Sequence, residues 1–145
     1  MALASEPESQ APIEGFFDPA HDKNQFISKV SAAARSQTVS DVSYLIAVAL
    51  PKGGKTFHGR VQIDFTLAKK CPDFKEGANN DAALFIDYWG KRVKALQVNG
   101  TFVPHDTENI FINHKIYIPC ALQKEGGNRV VVEFESSYVT NCEGF

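Results

Sequence analysis

The chain has 145 residues, 43% hydrophobic and 22% charged, with a formal net charge of −2. That length suits one domain with a real core, and the balance gives no electrostatic case for nucleic acid or an acidic membrane surface. No apolar run approaches the ~20 residues that span a bilayer, and Met1 to Pro12 lacks the basic cluster and apolar stretch of a secretory signal.

Residues 1–21 read as a leader, disordered or loosely docked, because Ala, Ser, Glu, Pro and Gln dominate its start. Phe16-Phe17-Asp18-Pro19 offers an aromatic contact that would pin it to the body. Residues 22–145 read as a single β domain. Asp22 to Arg35 carries the helical spacing. Phe26, Ile27, Val30, Ala33 and Ala34 form one apolar stripe, with Asp22 as N-cap and Arg35 near the negative end of the dipole. The stripe predicts a packing helix rather than a membrane-surface helix, whose polar face would carry more Lys and Arg.

From Ser40 the text is β. Val42 to Leu50 reads as a strand, ended by Pro51-Lys52-Gly53-Gly54. Thr56 to Leu67 alternates, with Val61, Ile63, Phe65 and Leu67 on one side and Gln62, Asp64 and Thr66 on the other. Lys69 to Asp81 is a polar loop. Ala82 to Asp87 and Arg92 to Val98 are strands around a turn at Trp89-Gly90, and Asn99-Gly100 predicts a type I′ turn before Phe102-Val103. Two short apolar stretches follow, Asn109 to Ile112 and Lys115 to Ile118. Leu122 to Asn128 reads as a turn and Asn128 to Tyr138 as a second long strand. Short strands, frequent turns and one helix predict a mainly β fold, a twisted sandwich-like or saddle-like sheet domain with one N-terminal helix.

Chemistry is sparse. Gly53-Gly54-Lys55-Thr56 resembles the tail of a phosphate loop, but a strand follows where a helix N-terminus must hold the phosphate, so a plain turn is expected. His21, His58, His105 and His114 never take the His-x-x-x-His spacing, and surface positions are expected for them. Asp64 and Asp87 would act as paired acids only where their environments separate their pKa values. Ser136-Ser137 lack a nucleophile elbow. Asn99-Gly100-Thr101 matches the short glycosylation pattern without a secretory signal. Tyr88, Trp89, Lys91, Arg92 and Lys94 mix rings and cations, as a binding rim or as a solvated turn. Cys71, Cys120 and Cys142 form no Cys-x-x-Cys pair and fit free, mostly buried thiols in a reducing compartment, so a cytoplasmic location is expected.

The order of the segments resembles the N-terminal domain of the M1 family of zinc aminopeptidases. Val39-Ser-Asp-Val-Ser-Tyr44 is similar to the family's opening strand. Phe57-His-Gly-Arg60 with Val61 to Leu67, and Leu84-Phe-Ile-Asp87, are similar to the strands that follow. Val93 to Gly100, ending Leu96-Gln-Val-Asn-Gly100, resembles its most recognisable phrase. Asn128 to Phe134, Tyr138 and Glu143-Gly144-Phe145 resemble its last strand and turn. Phe26 to Ser40 resembles the helical lead-in of the actinobacterial branch. The likeness covers about residues 25 to 145.

It implies a non-catalytic domain that covers a catalytic domain and helps wall its substrate cleft. The family's His-Glu-x-x-His and Gly-x-Met-Glu-Asn motifs are absent, and Met1 is the sole Met. No catalytic, cofactor-binding or metal residue carries over, and zinc is expected in a separate catalytic domain. Cys142 stands where that branch has a small residue. The phrase Glu143-Gly144-Phe145 stops midway, which implies a longer parent chain. The implied partner is that catalytic domain or another protein surface, with no nucleic acid and no membrane. The alternative is a free-standing β-sandwich interaction module.

Overall fold

The computed structural model describes residues 13–14, 27–104 and 110–138. Ten strands and helices in chain order are β1 (Ile13–Glu14), α1 (Lys29–Thr38), β2 (Val39–Ala49), β3 (Thr56–Leu67), β4 (Phe85–Asp87), β5 (Arg92–Val98), β6 (Thr101–Phe102), β7 (Phe111–Ile112), β8 (Lys115–Tyr117) and β9 (Gly126–Ser137). The fold is mainly β, two antiparallel sheets with one α-helix among the described residues.

The large sheet runs β1-β5-β9-β3-β2. Its spine is the pairing of β3 with β9, in register from Thr56 opposite Ser137 to Leu67 opposite Gly126. β9 also pairs with β5. The other edge of β5 is shared by β1 at one end and β6 at the other. The alternation of β3 decides what this sheet buries. Ile63, Phe65 and Leu67 face inward, as do Val130 and Val132 of β9 and Val93, Leu96 and Val98 of β5. The small sheet, β4-β8-β7, closes this core with Leu84, Phe111, Ile116 and Ile118. Strands β4 and β5 flank the Trp89-Gly90 turn but do not pair. The chain crosses there from one sheet to the other.

Three tight turns carry the hairpins. Asn99 (φ 51) and Gly100 (φ 84) form the predicted type I′ turn between β5 and β6. Asn113 (φ 49) and His114 (φ 61) form another between β7 and β8, a role the sequence did not announce. Gly53 (φ 73) ends β2 in a turn closed by the Gly54 amide donating to the Pro51 carbonyl. β3 begins directly after it, so Gly53-Gly54-Lys55-Thr56 is a hairpin turn.

The helix departs from its sequence reading. It starts at Lys29, with Ser28 as N-cap, whose hydroxyl accepts from the Ser31 amide at 3.0 Å. The proposed cap Asp22 and the stripe residue Phe26 lie outside the described residues, and Ile27 precedes the cap. The apolar stripe is not the packed face. Val30 is 74% exposed, and Ile27, Ala33 and Ala34 are exposed as well. The polar face packs instead. Ser31 is buried and donates to the Asp81 carbonyl, and Arg35 donates to the Phe85 carbonyl at 2.8 Å while lying over the Phe85 ring. Short-range capping and two long-range hydrogen bonds to the 81–85 segment outweigh the apolar period of a ten-residue helix.

Smaller boundaries shift as well. Strand β2 begins at Val39. Strand β9 begins at Gly126, so the predicted 122–128 turn is shorter and is entered through a single helical turn, Cys120–Leu122. Within the leader, Ile13–Glu14 pairs with Val93 and Arg92. The Phe16–Pro19 contact lies outside the described residues.

Candidate functional surface

Among the described residues, those singled out for chemistry do not converge. Asp64 sits on the outer face of β3 and accepts from Arg129 of β9 at 2.7 Å and from Gln62 at 3.0 Å. The Arg129 bond holds its carboxyl below the usual range. Asp87 belongs to the small sheet and pairs with Lys115 at 2.9 Å. The two acids are therefore in different sheets, each with its own cation. His58 is exposed on β3 and His114 is in the β7–β8 turn, while His21 and His105 lie outside the described residues. Ser136 and Ser137 belong to β9. Among the described residues no three His, Cys, Asp or Glu side chains group to hold a metal ion.

Cys71 is buried and Cys120 partly so, both as free thiols, and Cys142 lies outside the described residues. Cys71 lines a pocket of about 190 Å³ between α1 and the 69–72 and 81–85 segments. Burial pushes its thiol pKa up, against a weaker pull from Arg35. A thiol kept protonated is a poor nucleophile, and burial favours that form for Cys71.

The mixed rim is split between structure and surface. Tyr88 is half-buried between Phe111 and Phe134, and its hydroxyl donates to the Glu135 carbonyl at 2.9 Å. Trp89 is 67% exposed and stacks flat on His114, with centroids 4.0 Å apart. Lys94 reaches Glu135 at 3.7 Å. Tyr88 therefore ties β9 to the crossing between sheets, and Trp89 caps the β7–β8 turn.

Burial drives the pKa of Tyr88 up to about 12, and burial with the Asp87 charge does the same for Tyr117. The protonated rings are favoured in the folded state. Their contribution is whole below the ordinary tyrosine pKa of ~10 and is lost as pH rises through 12. The fold is expected to loosen between pH 10 and 12, with both rings ionising late in an absorbance titration. Ionisation of all described tyrosines near pH 10 with the fold intact would contradict this.

The distinctive surface is β2. It is the last strand of the large sheet, and it is exposed along almost its whole length. Its register places Tyr44 opposite Ile63 and Ile46 opposite Val61, so these side chains share the core face. Yet Tyr44 is 61% exposed and Ile46 60%, and neither belongs to the core that the small sheet closes among the described residues. Leu45, opposite Gln62, is 65% exposed on the other face. Val42, Val48 and Leu50 are exposed too. Single exposed apolar residues are ordinary, whereas a contiguous row is a candidate docking surface.

The chain matches no known family and no curated protein. Among the described residues no helix is long and apolar enough to cross a membrane.

Proposed function

We propose that this chain is a non-catalytic scaffold that works by docking, the N-terminal domain of an M1-type zinc aminopeptidase. In such an enzyme the parent removes N-terminal residues from peptides with zinc-activated water. The zinc belongs to the parent's catalytic domain. This domain covers that one and helps form the wall of the substrate cleft. The reading draws on the ordered phrases from Val39 to Gly100 and from Asn128 to Tyr138. One structural observation carries the docking part, the apolar row of β2 left exposed on its core face. The catalytic domain would cover those side chains. Neither nucleic acid nor a membrane has a part in this reading, and the compartment proposed is the cytoplasm.

A second reading has one observation in its favour. The exposed strand is apolar on both faces and free of charge from Val42 to Leu50, which also suits a free-standing interaction module. The test uses the chain as it stands, with zinc added and aminoacyl anilides as substrates. No turnover is expected, together with strong fluorescence from a dye that binds exposed apolar surface. Turnover abolished by a chelator would overturn the non-catalytic reading. A surface that binds no dye would overturn the docking reading.

A further inference from the structure

Beyond either reading, we infer that the free edge of β2 pairs with the β2 of a second copy of this chain, antiparallel, about a two-fold axis at Ile46. The inference uses the backbone edge of the strand and does not depend on the aminopeptidase reading.

Three observations carry it. First, β2 spans Val39–Ala49 and pairs on one side with β3, and among the described residues no strand lies on its other side. An edge of that length presents a row of peptide groups ready for another strand. Second, the usual protections are missing. Val42 to Leu50 contains no charge and no proline, whereas protected edges carry lysine, proline or a short strand. The bulge between Ser40 and Ser43, with Asp41 at φ 53, lies at one end and leaves the following stretch regular. Third, the charges flanking the segment select its partner and direction. Asp41 stands before it and Lys52 after it.

Placing Ile46 opposite its own symmetry mate sets Tyr44 against Val48 and Leu45 against Ala47 of the second copy. The same register brings Asp41 beside Pro51 and Lys52 of the other chain, at both ends. A parallel pairing would set Asp41 against Asp41. Within one chain the two residues lie at opposite ends of β2, so any coupling between them reports contact between copies. A two-fold pairing is also self-limiting, since it uses the same edge of both molecules and closes.

Sedimentation equilibrium of the full chain tests this. A monomer–dimer equilibrium is expected. Ile46→Lys should shift it to monomer by at least tenfold in concentration while circular dichroism stays unchanged, because Ile46 makes no part of the core. Lys52→Glu should weaken the dimer roughly tenfold, by removing two exposed ion pairs and adding repulsion. Asp41→Asn, which suits the left-handed backbone there, should weaken it less and should relieve part of the Lys52→Glu loss. Ile46→Cys should cross-link to itself with a short bismaleimide far faster than Val42→Cys, whose mates would sit at opposite ends of the pairing. A chain that stays monomeric at every concentration overturns the inference. So does a dimer indifferent to Ile46→Lys, or losses from Asp41→Asn and Lys52→Glu that simply add.

Discussion

Replacing Asn128 by alanine is expected to lower stability by about 3 kcal/mol, a large share of the ~5–15 kcal/mol that holds such a domain together. Asn128 is buried at the start of β9 and uses both ends of its amide. Its Oδ1 accepts from the Lys124 amide and from Asn99 Nδ2, each at 2.9 Å. Its Nδ2 donates to the Lys124 carbonyl at 2.7 Å and the Gly126 carbonyl at 3.0 Å. Asn99 in turn donates to the Leu122 carbonyl and accepts from the Arg129 amide. The pair joins the β5–β6 turn, the 120–125 segment and β9.

Alanine would leave several of these groups without partners, and buried groups lose most when one side of a bond is removed. The urea midpoint should fall with an unchanged slope. Asn80 makes a similar set of bonds in the more exposed 75–81 loop, so Asn80→Ala should cost well under half as much. Equal losses at the two sites would show that burial is not what matters. Asn128→Asp adds a pH signature. The new carboxylate would face two carbonyls, which raises its folded pKa above the unfolded value. Its penalty should therefore shrink as pH falls toward 4 and grow at neutral pH.

Gly59→Val is expected to cost about 2 kcal/mol or more, by collision inside the core face. A Cβ built on Gly59 would stand 2.3 Å from Phe134 Cζ, because the Phe134 ring of β9 lies directly over this position of β3. The ring is held on its other side by Tyr88, at 5.4 Å between centroids, so it cannot swing away freely. Phe134→Ala alone should also destabilise, by losing those ring contacts. Combining the two should cost less than their sum by 1 kcal/mol or more, since the collision disappears. Thermal midpoints of the four proteins measure this coupling. Strict additivity would mean that the valine meets no ring.

The large sheet was legible because its strands obey a period of two. Thr56 to Leu67 and Arg92 to Val98 fall on β3 and β5 to the residue, and the Asn99-Gly100 turn adopts the backbone those residues tolerate. The helix misled because Ile27, Val30, Ala33 and Ala34 make an apolar stripe that stays exposed. The contacts that seat it, from Ser31 and Arg35, run to residues fifty positions away and leave no local trace. Strand β2 misled in the opposite sense. Val42 to Leu50 reads as a strand, and it is one, but no pattern reveals that its apolar side chains stay exposed.

The buried amides were hidden too. Gln123 accepts from the Cys71 amide at 2.7 Å and donates to the Ile118 carbonyl at 2.9 Å, yet it sits in text that reads as a plain turn. The candidate surface was thus visible as apolar sequence and invisible as exposure. For the chemical residues, the sequence showed that none was spaced for a motif. The separation of Asp64 from Asp87 into different sheets required the structure.

The strand order also sets a timetable for synthesis. β9 lies between β3 and β5 in space, but it follows both in the chain. A nascent polypeptide that has emerged only as far as Leu122 holds β3 and β5 without the strand that joins them. Such long-range pairing makes closure slow, and the uncharged apolar stretch Val42 to Leu50 has by then emerged as well. A chaperone that shields short uncharged apolar stretches would find its target there, before any mature partner could.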